Sequence, residues 1–181
     1  MLKTKLCELF GIEYPIISAG MGAIAMADLA AAVSAAGGLG TLGLGVSSRE
    51  GIQIEVAAAR SRTDRPLAAN LIVPFLRPGI VAAVARLPIQ VLTFFWGDAR
   101  DHVESIRIAR DAGIKAVWQC GSADEARWAK EAGCDAVMAH FSGSSSWIRP
   151  IPPDWSSASW PNHGSSICGS TNGSRLLIVS F

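Results

Sequence analysis

Two textures alternate along residues 15–140. Short apolar runs with few interruptions occupy 15–19, 39–44, 67–73, 91–96, 116–120 and 136–140. Longer stretches at helical spacing lie between them, at 26–36, 48–60, 79–86, 101–112 and 123–132. Strands that are apolar on both faces belong to parallel sheets whose outer face is covered by helices. Ala36-Gly37-Gly38, Ala112-Gly113 and Ala132-Gly133 each place a glycine where a helix ends in the left-handed conformation, just before the next strand. Ser122, with Glu125 three residues on, predicts a capping box at the start of the last helix. Six parallel strands joined by five right-handed crossover helices follow from this pattern. A complete (β/α)8 barrel has eight units and about 250 residues, whereas an open doubly wound sheet can be finished with six strands. The pattern alone leaves both open.

The texture ends near residue 140. Residues 141–181 are rich in serine, glycine and proline and hold Trp147, Trp155 and Trp160, with only Arg149, Asp154 and Arg175 charged. Helical periodicity is absent, and the one strand-like run is 176–181. A solvated linker carries more charge and less tryptophan than this, and a folded domain shows periodicity. The chain therefore divides into an α/β portion, 1–140, and an irregular Ser/Trp/Pro-rich tail, 141–181. A translated shift of reading frame accounts for the tail's texture; a genuine but unusual Trp/Ser loop segment is the other reading.

Composition narrows the class. With 181 residues, half of them hydrophobic and 17% charged, the chain can bury a sizeable core and is not of the disordered type. Sixteen basic against fifteen acidic residues leave a formal charge of +1, so no global field recruits nucleic acid or an anionic membrane. The stretch 27–46 is about long enough to cross a bilayer, but Asp28 and the glycines at 37, 38, 40, 43 and 45 break it into a helix and a strand. The N-terminus lacks the uninterrupted apolar segment of a signal peptide. Cys7, Cys120, Cys134 and Cys168 show no CxxC or metal-ligand spacing and read as reduced thiols. A soluble cytoplasmic protein without a metal centre is the expectation.

Parallel α/β folds bind ligands at the carboxyl ends of their strands. After the first run come Ala19, Gly20, Met21 and Gly22, whose small residues allow a flat ligand to approach backbone N–H groups; a structural turn is the alternative. Asn70 interrupts the apolar run 67–73, and a buried carboxamide must find partners, either within the core or in a ligand. Trp96-Gly97-Asp98, Gln119 and His140 follow the fourth, fifth and sixth runs. Dinucleotide, P-loop, HExxH and GxSxG signatures are missing.

Taken together, Leu6 to Ile17 leading into Ala19-Gly20-Met21-Gly22, then Ala27 to Ser34, Ala36 to Gly40, Thr63 to Leu71, Phe95-Trp96-Gly97-Asp98, Ala112 to Lys115 and Glu125 to Ala136 resemble the nitronate monooxygenase (2-nitropropane dioxygenase) family. The resemblance covers residues 1 to about 139. It implies an incomplete TIM-type (β/α) barrel of about six parallel strands that binds FMN. The implied reaction is flavin-dependent oxidation of alkyl nitronates with O2, by an oxidoreductase impaired by C-terminal truncation. Carried over by position, Ala19, Gly20, Met21, Gly22, Asn70 and Gln119 are expected at the cofactor, with His140 where the family has an FMN-contacting glutamine. The family's catalytic histidine segment has no counterpart here, so the catalytic residue is unassigned and His140 is not given that role. The partners implied are a small nitronate and O2, with self-association through open sheet edges and neither nucleic acid nor membrane. Two alternatives remain: enoyl thioester reduction on the same barrel, and a non-catalytic barrel fragment that needs a partner chain.

Overall fold

The computed structural model describes residues 4–141, 165–171 and 174–180. A short helix, α1 (Lys5–Phe10), leads into α2 (Ala27–Ala35), α3 (Arg49–Arg60), α4 (Ile80–Val84), α5 (Val103–Asp111) and α6 (Ala123–Glu131). From α2 onward these alternate with β1 (Gly40–Gly43), β2 (Leu67–Ile72), β3 (Val91–Phe95), β4 (Lys115–Cys120) and β5 (Ala136–Phe141), which lie side by side in chain order and pair in parallel.

The helix ends form as their sequence predicts. Gly37, Gly113 and Gly133 all have positive φ, at 94°, 78° and 98°. The following amides, Gly38, Ile114 and Cys134, reach back five residues to the carbonyls of Val33, Ala109 and Ala129, closing three Schellman ends. The Ser122 hydroxyl accepts from Glu125 N–H at 3.2 Å. The Glu125 carboxylate in turn accepts from Gly121 N–H at 2.8 Å, one residue earlier than in the reciprocal box.

Alternation along each strand sends side chains to two cores. On the outer face Leu42, Leu71, Leu92, Phe94, Trp118 and Val137 pack against the helices, with the Phe94 and Trp118 rings stacked at 5.2 Å. On the inner face Leu39, Ala68, Val91, Val117 and Ala136 form an apolar floor near the amino ends of the strands. Helix α1 closes that floor with Leu6, Cys7 and Phe10, followed by Ile12. Burying a side chain such as Leu6 or Phe10 contributes about 1.5–3 kcal/mol. The sequence pattern did not isolate α1, which precedes the alternation of apolar runs and helical stretches.

The first of the six expected strands is reduced to a single parallel bridge, Ile17 to Leu39. Pro15 has no N–H to give a ladder, Ile16 N–H turns back to Tyr14 at 2.7 Å, and Met21 N–H turns back to Ala19. Five parallel strands, rather than six, therefore make the ladder. The tail, expected to be irregular, contributes two strands, β6 (Ser165–Thr171) and β7 (Ser174–Ser180). The second overlaps the strand-like run 176–181. It pairs antiparallel along β5 from Ala136↔Ser180 to Phe141↔Arg175, so the sheet order is β1-β2-β3-β4-β5-β7-β6. The edge beyond β5, expected to be raw, is thus paired within the chain. Trp147, Trp155 and Trp160 lie outside the described residues.

Candidate functional site

Two residues beyond the apolar floor, on the same face, the inner surface changes character. Leu39 is followed at that spacing by Thr41, Ala68 by Asn70, Val91 by Thr93 and Val117 by Gln119, with Met138 beyond Ala136 on β5. A period of two keeps each pair on one side of the sheet. The parallel register pairs Asn70 with Gly43 on one neighbour and with Thr93 on the other. A tier of polar groups therefore lies above an apolar floor, toward the carboxyl ends where parallel α/β folds bind ligands.

The polar groups are not equally satisfied. Asn70 is 9% exposed and Thr93 6%. Asn70 Nδ2 donates to Thr93 Oγ1 at 2.9 Å, and Thr93 Oγ1 donates onward to the Ala69 carbonyl at 3.3 Å. Asn70 is thus anchored in the core through one end of its amide, the core partner that its sequence context allowed. Thr41 N–H donates to Ser18 Oγ at 2.9 Å, but the Thr41 hydroxyl is buried without any partner among the described residues. Leaving such a group unmet costs about 1–3 kcal/mol. Gln119 is half-buried.

The expected binding loop runs over this tier. Ala19, Met21 and Gly22 are exposed and Gly20 half-buried. A Cβ built on Gly20 would fall 2.3 Å from Asn70 Cβ, and one built on Gly43 would fall 2.5 Å from the Met21 carbonyl oxygen. Only glycine lets the loop cross the end of β1 and lie against β2 this closely. Met21 N–H is taken by Ala19 O, and Ile24 and Ala25 N–H both return to Met21 O. The amides of Gly20 and Gly22 make no hydrogen bond among the described residues, and the space around Gly22 is open. Ala23 adopts φ 60°, a left-handed conformation that costs an L-residue roughly 1–2 kcal/mol.

At the rim after β3, Trp96 has φ 61° and is 54% exposed, with its ring stacked on Phe95 at 4.5 Å. Asp98 is occupied locally, accepting from Arg100 N–H at 2.9 Å and pairing with the Arg100 guanidinium. That hydrogen bonding holds its carboxyl below the usual carboxylate range. His140 lies in β5 opposite Leu176 of β7; its side chain is outside the described residues. The structure therefore brings Gly20 against Asn70 and places Gln119 on the same face, while leaving the His140 expectation unaddressed. Sequence reasoning missed Thr41 and Thr93. Each is a polar residue inside an apolar run, the same signal that singled out Asn70.

Other parts of the molecule offer less. A cavity of about 460 Å³ involves α5, Lys115 and Asp135, on the outer side of the fold; its cations are paired, Lys115 with Asp135 at 3.3 Å and Arg107 with Asp111 at 2.6 Å. Cys7, Cys120 and Cys134 are buried free thiols. Burial pushes the Cys134 thiol up to about 12 and raises that of Cys120 as well. Among the described residues no cluster of three metal-ligating side chains occurs, and no helix is long and apolar enough to cross a membrane.

Parallel βα units with an apolar floor, a polar tier and a glycine-lined loop at the strand ends make up part of a (β/α) barrel, with the candidate site at the carboxyl ends of the strands. The chain resembles the nitronate monooxygenase family, whose model matches residues 3–79. It is 44% identical over 73 residues to a probable nitronate monooxygenase of Staphylococcus saprophyticus, a match covering 40% of this chain and 21% of the relative. Among solved structures it is similar to FabK from Thermotoga maritima, with a TM-score of 0.71 and 28% identity over 84% of this chain and 53% of that one. It is also similar to nitroalkane oxidase from Streptomyces ansochromogenes, with a TM-score of 0.63 and 28% identity over 74% of this chain and 47% of that one. The chain spans 21 to 49% of the length of the curated relatives it matches first.

The site's residues fit a flat, hydrogen-bonding group such as a flavin ring. The buried Thr41 hydroxyl has no partner among the described residues, and the Gly20 and Gly22 amides donate to none of them, with open space beside Gly22.

Proposed function

We propose that this chain binds FMN at the carboxyl ends of β1–β4, and that the activity it serves is oxidation of alkyl nitronates with O2. The observation that carries the reading is Asn70: a nearly buried carboxamide anchored at one end by Thr93 and pressed on its other side by the Gly20 loop. Such a group is set up to meet a ligand's polar edge in a site largely shielded from water. The loop amides of Gly20 and Gly22 supply donors, and Met21, 44% exposed, supplies apolar surface. Gln119 completes the polar tier, and His140 belongs to the proposed set by position. Bound FMN would supply the redox chemistry, while these residues bind the ring, orient it and exclude water.

The division into a cofactor-binding portion, 1–140, and a tail, 141–181, is part of the same proposal, as is a cytoplasmic location. A visible absorbance spectrum of the purified chain with added FMN tests it. A flavin band that survives desalting, together with oxidation of propyl nitronate, is the expected result; a chain that stays colourless overturns it.

Enoyl thioester reduction is the second reading, favoured by the similarity to FabK across 84% of this chain. NAD(P)H consumption that depends on an enoyl thioester, without nitronate oxidation, would select it.

A further inference from the structure

We infer that Thr93 is a positioning residue for the cofactor site: its hydroxyl decides which end of the Asn70 carboxamide faces the loop, so that a bound flavin meets an acceptor there and not a donor. The orientation rests on the geometry of the core; the consequence for the flavin rests on the FMN reading above.

The argument starts from proton counting. A threonine hydroxyl has one proton and two lone pairs. With that proton directed to the Ala69 carbonyl, 3.3 Å away, only lone pairs face Asn70. The amide answers by presenting Nδ2, at 2.9 Å. The chain Nδ2–H to Oγ1–H to O=C satisfies both donors. Reversing the amide would turn the hydroxyl proton toward Oδ1 and leave Nδ2 and the Ala69 carbonyl without these partners, one hydrogen bond fewer in a nearly buried place. On its other side Asn70 is closely approached by the Gly20 backbone. A Cβ on Gly20 would lie 2.3 Å from Asn70 Cβ and 3.2 Å from Oδ1, so the amide oxygen is the end turned to the loop. Oδ1 accepts no hydrogen bond among the described residues. The polar edge of an isoalloxazine ring is mostly acceptors with one N–H, so a protein acceptor pairs with a single atom there. Thr93, 23 residues away in sequence from Asn70, would thereby fix the register of a ring it does not touch.

The test compares the full chain with its Thr93→Val and Thr93→Ser variants, each checked for folding by circular dichroism. Valine keeps the shape and strand preference of threonine and removes the hydroxyl; serine keeps the hydroxyl. The first readout is hydrogen exchange of the Asn70 side-chain NH2, measured on 15N-labelled protein without flavin and assigned with Asn70→Ala. Slow exchange is expected in wild type and Thr93→Ser, and about tenfold faster exchange in Thr93→Val. The second is FMN affinity by fluorescence quenching, expected to fall about tenfold, equivalent to about 1.4 kcal/mol, in Thr93→Val and to recover in Thr93→Ser. Should valine not fold, Thr93→Ala takes its place. Equal amide exchange in wild type and the hydroxyl-less variant overturns the orientation lock whatever the flavin does. Altered exchange with unchanged FMN affinity overturns the positioning role. Wild type that takes up no FMN overturns the FMN reading and with it the role toward the ring, while the amide measurement still decides the lock.

Discussion

Gly20 lies so close to Asn70 that a Cβ on the glycine would stand 2.3 Å from the asparagine Cβ, a separation real side chains do not reach. This contact joins the loop after the first apolar run to the second strand of the sheet, across the end of β1. It makes the shape of the loop and the position of the carboxamide a single property.

Gly20→Ala is therefore a steric lesion. The loop or Asn70 has to move by a large fraction of an ångström, and overpacking of this kind costs about 1–3 kcal/mol. A lower urea midpoint and loss of FMN retention are expected together, measured by denaturation and by absorbance after desalting.

Asn70→Ala removes the anchored amide. Thr93 loses its donor but keeps its bond to the Ala69 carbonyl, so the stability cost is modest, about 0.5–1.5 kcal/mol for one hydrogen bond. Flavin affinity is expected to fall by about tenfold or more, the counterpart of about 1.4 kcal/mol. A calorimetric titration with FMN beside a urea curve separates the two effects.

Ser34 tests the scaffold beneath the site. Fully buried in α2, it donates to the Pro66 carbonyl at 2.6 Å and accepts from Gly40 N–H at 2.9 Å, tying the helix to the starts of β1 and β2. Ser34→Ala leaves both backbone groups unmet, and each buried unpaired group costs about 1–3 kcal/mol. A loss of at least about 2 kcal/mol in unfolding free energy is expected, with no direct effect on ligand contacts.

The buried thiols set an alkaline limit. The Cys134 thiol is raised from 9.0 to about 12 by burial, and Cys120 is raised for the same reason. The unfolded chain loses these protons at lower pH than the folded chain does. The stability they support is therefore complete below pH 9 and declines as pH rises from there toward 12. Urea midpoints measured upward from neutral pH should fall above that point, and Cys134→Ala should show a shallower fall. In native protein Cys7, Cys120 and Cys134 should also react slowly with a thiol reagent until the chain is unfolded.

The legible part of this fold was written in short windows of sequence. The strand runs from 39 onward and helices α2 to α6 could be read because a continuous apolar run or a helical repeat needs only a dozen residues of sequence to declare itself. The glycines at 37, 113 and 133 could be read because only a left-handed helix end favours glycine so strongly. Asn70 stood out because a carboxamide inside an apolar strand demands partners. Thr93 carries the same signal more weakly, since threonine is an ordinary strand residue, and it passed unnoticed.

By itself the sequence determined the order of βα units, their helix ends and the apolar outer core. These depend on neighbours a few residues apart, whose spacing is visible in one dimension. Only the tertiary structure decided that α1 plugs the inner floor, that the first run shrinks to one bridge, and that β7 covers the β5 edge. It alone brought Gly20 and Thr93 to opposite sides of Asn70. Those outcomes turn on strand register and on close approach between segments far apart in sequence, such as Asn70 and Thr93, 23 residues apart, and Gly20 and Asn70, 50 apart. No local pattern carries that information, because it is packing, and not propensity, that selects which surfaces meet.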